Sequence, residues 1–346
     1  MNAALHESHP HVARFLQQRT GSASRDMTVR MRPLCGGLVS AAVVHVSTRY
    51  RDASGRRRTV SFVLKELGPE GTREADVHAA VRTTDAGTFA PELLFVERDA
   101  HGARLYLEAI APASSWPWRD LRHAGRVLER LADLHAAKRH PELELHATSW
   151  NYESELLDSA RLTLHAAERT AEQLRDARIR ASLPALRRVV AELEVIRREL
   201  VADGPLPAAV LHGDVHSGNV LVRRHRGERE PVLLDWGRLR IGSPFEDVSS
   251  WLQSLGFWEP EVRRKHDTLL GMYLAARNLA PSPSDAVRDA YWLAAASNGL
   301  AGALHHQLAV ATNSARPGRE RDLALHVAHD WLRVIRRADA RRRARH

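Results

Sequence analysis

Lysine is almost missing from this chain: of 51 basic residues only Lys65, Lys138 and Lys265 are lysine. Arginine carries nearly all the positive charge, so a lysine retained in that background marks a place where a compact ammonium is wanted. Cysteine is scarcer still. Cys35 alone cannot form an internal disulfide or a thiolate zinc cage, which fits a reducing, cytoplasmic setting. Aromatic residues make up 5% of the chain and do not interleave with the arginines, so no stacking platform for single-stranded nucleic acid is visible. The least polar long stretch, Tyr291 to Leu304, contains Ser297 and Asn298 and falls short of the ~20 apolar residues a membrane helix needs. Residues Met1 to His6 lack the basic-then-apolar pattern of a secretory signal. No glycine is followed by lysine, which removes the Walker phosphate loop.

What is present describes a folded protein. The 44% apolar fraction builds a core and the 27% charge keeps it soluble. At 346 residues, the chain fits two packed units or one enzyme with two lobes. The net charge of +9 would suit nucleic acid, but Arg336, Arg337, Arg341, Arg342, Arg343 and Arg345 sit together near the end against a single acid, Asp339. The excess is mainly a tail effect, and nucleic acid is not an expected partner.

Hydropathy changes period once. Residues 11–20 read as a short helix, Ala41 to Tyr50 and Arg58 to Leu67 as a hairpin around Asp52-Ala53-Ser54-Gly55, and Glu74 to Val81 as a helix. Leu93 to Glu97 and Arg104 to Glu108 form a second strand pair around Asp99-Ala100-His101-Gly102. From Arg119 onward the stripe Leu121, Ala124, Leu128, Leu131, His135 has helical spacing. Residues 151–203 read as two helices meeting near Pro184. The region 259–335 adds several more, the last carrying Leu323, Val327, Trp331 and Ile335 on one face. Short apolar runs at 209–211, 220–222 and 232–234 interrupt this half and carry polar loops, where chemistry is usually presented.

The densest polar constellation is His212-Gly213-Asp214-Val215-His216-Ser217-Gly218-Asn219, followed by Asp235-Trp236-Gly237. Two carboxylates and an amide oxygen near a strand pair suit hard Mg²⁺ ions held against phosphate oxygens. An Asx-rich turn explains either half alone, but not both in this order.

These residues resemble the catalytic and metal-binding loops of the aminoglycoside phosphotransferase and choline kinase family, relatives of protein kinases. The kinase pattern is H-R-D-x-x-x-x-N followed by D-F-G. Here Gly213 stands for the arginine that reads an activation-loop phosphate, and Trp236 for phenylalanine, both of which favour a small-molecule kinase. The resemblance implies an α+β, bilobal, protein-kinase-like fold: a small antiparallel β lobe over 1–110 and a larger, mostly helical lobe over 111–346. The latter would hold the catalytic loop (210–237) and acceptor-binding helices (141–205 and 259–335). Asp214 would take the substrate hydroxyl proton, Asn219 and Asp235 would bind Mg²⁺, and His212 would brace the loop.

The same resemblance gives roles to upstream residues. Gly36 and Gly37, in Leu34 to Ser40, would form the loop over the phosphates of ATP or GTP. Lys65, at a strand end in Val63-Leu64-Lys65, would contact the α- and β-phosphates. Glu74 is the best ion-pair partner for it, with Glu66 and Glu70 open. Glu108 C=O and Ile110 N–H would meet adenine. His135, in Leu131-Ala132-Asp133-Leu134-His135, reads as a buried structural residue, and Asp247 as an N-cap or loop anchor. His326 with His329, and His6, His9 and His11, lack the further ligands of a closed metal site.

The expected activity is transfer of a γ-phosphate to a hydroxyl of a small molecule. An aminoglycoside-like antibiotic leads, because residues 141–205 hold 12 acids against 9 bases, with Glu153, Glu155 and Asp158 as candidate acceptor contacts. Residues 259–346, with 15 bases against 9 acids, suit a neutral or anionic sugar, amino alcohol or natural product equally. A catalytically silent nucleotide-binding pseudokinase is the alternative of a different class, although Lys65, Asp214, Asn219 and Asp235 are all present.

Overall fold

The computed structural model describes residues 10–20, 25–34, 40–136, 141–225 and 227–345. Gly36, Gly37, His6 and His9 lie outside the described residues. The chain divides into two compact units, one of residues 1–113 with 223–237, the other of 114–222 with 238–346.

The first unit contains α1 (Pro10–Thr20), β1 (Arg25–Pro33), β2 (Ser40–Arg51), β3 (Arg57–Leu67), α2 (Thr72–Arg82), β4 (Leu93–Asp99) and β5 (Gly102–Glu108). Its strands form one antiparallel sheet in the order β1-β2-β3-β5-β4. Because side chains alternate along a strand, β3 divides its residues between two cores. Phe62 and Leu64 pack with Val12, Phe15 and Leu16 of α1, and Phe15 stacks on Tyr106 at 4.6 Å. Val63 and Leu67 face the other way, toward Ala75 of α2 together with Leu105 and Leu107. Lys65 shares their parity, so alternation alone assigns its ammonium to the α2 side.

β1 was not foreseen. Its arginines Arg30 and Arg32 break the apolar alternation, and a sheet-edge strand with an exposed face tolerates them. The β2–β3 turn falls where expected, with Asp52 Oδ1 accepting from the N–H groups of Ser54 and Arg56 at 3.0 Å.

The second unit is mostly helical: α3 (Leu121–Ala136), α4 (Pro141–Thr148), α5 (Tyr152–Gln173), α6 (Ala177–Ala191) and α7 (Leu193–Val201) precede β6 (Ala209–Leu211) and β7 (Val220–His225). The chain then runs through β8 (Glu228–Leu233) of the first unit and returns as β9 (Arg240–Gly242), α8 (Pro244–Trp258), α9 (Pro260–Arg264), α10 (His266–Ala276), α11 (Asp285–Asn298), α12 (Leu304–Thr312) and α13 (Gly318–Arg343). β7 pairs with β8, and β6 with β9.

Two expectations are corrected. Residues 151–203 make three helices, and Pro184 lies inside α6 rather than at a junction. The helix continues through it because buried Ile179, Leu183, Leu186 and Val189 hold the flanking turns, while the break at 174–176 is marked by the N-cap Asp176, whose Oδ1 accepts from Arg178 and Ile179 at 2.8 Å. On α13 the buried seam is Ala324, Ala328, Leu332, Ile335 and Ala338. Leu323 is 46% exposed, because small residues allow the close approach and the bulky ones flank it. Several charges of the terminal helix are engaged. Arg188 pairs with Asp339 at 2.6 Å, Arg342 with Glu192 at 2.7 Å, and both Arg341 and Arg345 with buried Asp289. Among the described residues no helix is long and apolar enough to cross a membrane.

One half-buried group makes folding sensitive to pH. His266 packs edge-on against Tyr291 with ring centroids 5.8 Å apart. Burial, with Arg333, Arg263 and Arg337 nearby, depresses its pKa to about 4 against the pull of a Leu252 backbone contact. The unfolded chain therefore binds this proton from about pH 6.5 downward and the folded chain does not, so stability falls with pH, by about 3 kcal/mol in all between 6.5 and 4. Urea midpoints at pH 7 and pH 5 should separate in the native protein and converge in part in His266→Gln.

Candidate active site

The first unit assembles a charge cluster around Lys65. Its register, opposite Val43 and Leu105, places it in the central strand of the five-stranded sheet. Glu74, in the first turn of α2, meets it: Lys65 Nζ lies 2.6 Å from Glu74 Oε1 and 3.2 Å from Asp235 Oδ1. Lys65 and Glu74 are 8% and 6% exposed, so this is a buried pair and not a dipole-complementing surface acid. Glu66, another of the candidates, pairs with Arg104 at 3.5 Å instead. Burial opposes the charge on Lys65, but Glu74 and Asp235 more than offset it and hold its pKa above the ordinary lysine value. Lys65 is a cation at neutral pH.

Asp235 is placed by its backbone. Its φ is +62°, a left-handed conformation that few non-glycine residues adopt and that clusters at functional positions. The following Trp236 is fully buried and donates Nε1–H to Leu233 O at 2.9 Å, and Arg73 of α2 donates to Gly237 O at 2.6 Å. Sequence reasoning missed Arg73. At the end of β5, Glu108 donates its N–H to Glu92 O at 2.9 Å and its carboxylate takes Arg223 at 2.9 Å. Ile110 follows in the adjoining loop, its N–H without a protein acceptor among the described residues.

The second unit presents the loop from His212 to Asn219. Asp247, one turn into α8, anchors it: Oδ2 accepts from His212 N at 2.8 Å and Oδ1 from Gly213 N at 2.9 Å. Asp247 is thus the loop anchor, and the N-cap of α8 is Ser243. His135 braces the anchor, with Nε2 3.1 Å from Asp247 Oδ2 and Nδ1 2.9 Å from the Tyr273 hydroxyl. Burial opposes the charge on Asp247, and the hydrogen bond from His135, with the charges of His135, His212 and Arg240, lowers its pKa all the same. An ionised Asp247 accepts at Oδ2 from Nε2–H of His135.

Within the loop, Asp214 N–H donates to Nδ1 of the fully buried His212 at 3.3 Å. Asn219 Nδ2 donates both to Asp214 O at 3.0 Å and to Asp214 Oδ2 at 3.1 Å. That orientation turns the Asn219 amide oxygen away from Asp214. Gly213 has φ +86°, and a Cβ there would stand 2.1 Å from Arg238 O and 2.3 Å from Arg240 Nη1. Only glycine fits, which explains why the position cannot carry the arginine of protein kinases.

The candidate acceptor acids do not converge. Glu153 forms a bidentate pair with buried Arg197, Glu155 accepts from Trp150 Nε1, and Asp158 pairs with Arg161 at 3.2 Å. Glu155 and Asp158, three residues apart, share a face of α5, from which Glu153 diverges. His329 is bound to Asp176 at 2.9 Å and His326 packs on Phe257. Among the described residues no three His, Cys, Asp or Glu side chains form a metal-binding group.

The sequence pattern of the phosphotransferase enzyme family matches residues 39–289, most of the chain and every site residue just described between Lys65 and Asp247. The chain belongs to the phosphotransferase enzyme family. Its activity class is phosphotransfer to a small molecule. The fold is that of solved members. The structure of the GDP complex of aminoglycoside 2'-phosphotransferase-IIIa is 14% identical, with a TM-score of 0.56 over 96% of this chain and 99% of that one. An ethanolamine kinase from Plasmodium vivax is 11% identical, with a TM-score of 0.55 over 87% and 82%. A choline/ethanolamine kinase family protein from Mesorhizobium loti is 18% identical, with a TM-score of 0.52 over 89% and 92%. Comparison with curated protein sequences finds no match. The α+β, protein-kinase-like fold expected from the sequence is the one observed.

Proposed function

We propose that this phosphotransferase moves the γ-phosphate of ATP or GTP to a hydroxyl of an aminoglycoside-like acceptor, with Asp214 as the general base. The observation that carries the reading is the hydrogen-bonded loop itself: Asp214 is held at its N–H by His212 and at its carboxylate by Asn219. One carboxylate oxygen stays available to accept the hydroxyl proton as the oxygen attacks phosphorus. Lys65, kept cationic by Glu74 and Asp235, would take the α- and β-phosphate oxygens. Glu108 C=O and Ile110 N–H would hold the base, and Gly36 and Gly37 would cover the phosphates.

Mg²⁺ fits the donors present. The amide oxygen of Asn219 has no protein partner among the described residues, and Asp235 meets Lys65 through Oδ1. These are hard oxygen ligands, and the ion, when bound with nucleotide, would neutralise phosphate charge.

The test is transfer from γ-labelled ATP or GTP to a panel of aminoglycosides, choline, ethanolamine and simple sugars, with and without chelator. Labelled product requiring Mg²⁺ supports the reading. Nucleotide binding with neither transfer nor hydrolysis would establish a silent pseudokinase.

A second acceptor class, neutral or anionic hydroxylated metabolites, is favoured by one observation: Glu153, Glu155 and Asp158 already have protein donors. The two readings predict different kinetics. If Glu155 and Asp158 read a polycation, Glu155→Gln with Asp158→Asn raises the acceptor KM at least ~10-fold at low salt with kcat little changed, since uniform binding is lost. An unchanged KM for the aminoglycoside would reassign the acceptor. Glu153 stays out of this test because it holds Arg197.

A further inference from the structure

A second set of charges in the same unit lies under the loop. Arg240 on β9, Glu246 on α8 and Arg197 on α7 are 2%, 1% and 4% exposed. Glu246 stands between the two arginines, 2.8 Å from Arg240 Nη2 and 3.0 Å from Arg197 Nη1. Arg197 continues to Glu153 at 2.7 Å, so two cations balance two anions. The Tyr152 ring lies 4.0 Å from the guanidinium of Arg240. Burial works against the charge on Arg240, and Tyr152, Glu246 and Asp247 more than offset it, raising its pKa. Burial likewise works against Glu246, whose pKa Arg197 and Arg240 still lower.

A buried ion network seldom exceeds apolar packing of the same volume in stability. What this one supplies is geometry. β9 pairs with β6 so that Arg240 stands opposite Leu211, the residue before the loop. From there Arg240 Nη1 donates to Gly213 O at 2.9 Å. The peptide joining Gly213 to Asp214 is thereby held at both ends, its oxygen by Arg240 and its N–H by His212. Fixing that plane fixes the direction in which the Asp214 side chain leaves the backbone.

We propose that Arg240 is the positioning residue for Asp214, aimed by Glu246 and seated on Tyr152. Through Arg197 and Glu153 the same network ties the start of α5 to the loop. The proposal rests on Asp214 being the base.

The experiment compares wild type, Arg240→Ala, Arg240→Lys, Glu246→Gln and Asp214→Asn. It uses the best acceptor from the panel of aminoglycosides, choline, ethanolamine and sugars, and parallel hydrogen–deuterium exchange over 211–219. Arg240→Ala should lower kcat about 10²-fold, the usual effect of a misplaced catalytic group, with nucleotide KM within about threefold. Added guanidinium at millimolar concentration should restore at least about tenfold of that loss, and should do nothing for Asp214→Asn, because it replaces only the missing donor. Exchange should quicken at 211–219 in Arg240→Lys and Glu246→Gln, which keep the buried volume where Arg240→Ala fails to fold. Wild-type kcat in Arg240→Lys with unchanged exchange overturns the proposal, as does a loss confined to nucleotide KM or one that guanidinium cannot rescue. If Asp214→Asn is itself fully active, the base assignment falls first and the positioning role with it. If Asp214→Asn is inactive and Arg240→Lys is normal, only the positioning role falls.

Discussion

Asp214→Asn is expected to lower kcat by roughly 10²-fold or more, since a positioned general base supplies ~10²–10⁴. The structure adds a reason beyond lost basicity. Asn219 Nδ2 donates to Asp214 Oδ2, so an asparagine at 214 satisfies that bond by pointing its amide oxygen at Asn219. Its NH₂ then faces the acceptor hydroxyl and offers a donor where an acceptor is needed. The fold should survive, because the loop is held through Asp247 and the backbone of His212 and Gly213, none of which changes. Nucleotide affinity should stay within a few-fold while turnover collapses. Full turnover in the variant would remove Asp214 from the mechanism.

Lys65→Arg is expected to cost about as much, despite the retained charge. The ammonium is buried 2.6 Å from Glu74 and 3.2 Å from Asp235, a compact seat between two carboxylates. A planar guanidinium is larger and carries its donors in a fixed fork, so it must displace Glu74 or Asp235, and with them the phosphates that the proposed function assigns to Lys65. kcat/KM for nucleotide should fall by about 10²-fold or more, because charge stabilisation at phosphate depends on position. Equal kcat/KM in the two proteins would leave Lys65 a structural member of the sheet.

Both residues were legible without coordinates, for different reasons. Lys65 stood out because the chain avoids lysine, and because strand alternation assigns it a side. Asp214 and Asn219 stood out because their spacing within one loop is local information. Glu74 could be ranked first among three acids, but its burial against Lys65 came only from the packing of α2 on the sheet. The arginine-bearing edge strand β1 and the helix running through Pro184 escaped for the complementary reason: tertiary contacts overrode local propensity. Arg240 and Glu246 left a faint signal, charges inside the apolar run Leu239 to Val248, but their partners Arg197, Tyr152 and the Gly213 carbonyl lie far away in sequence. Arg73 had no signal, since its acceptor at Gly237 is 164 residues distant.

That last separation bears on how the protein is made. The first unit is not finished when its sheet emerges from the ribosome, because the segment 223–237 belongs to it. Until translation passes Gly237, the Lys65–Glu74 pair lacks its second carboxylate and Arg73 lacks its acceptor. Vectorial folding, one domain closing before the next begins, is therefore denied to this chain. The nascent sheet must wait while more than a hundred residues, mostly helix, are synthesised behind it, so the charge cluster of Lys65, Glu74 and Asp235 is completed only after α3 to α7 have been made.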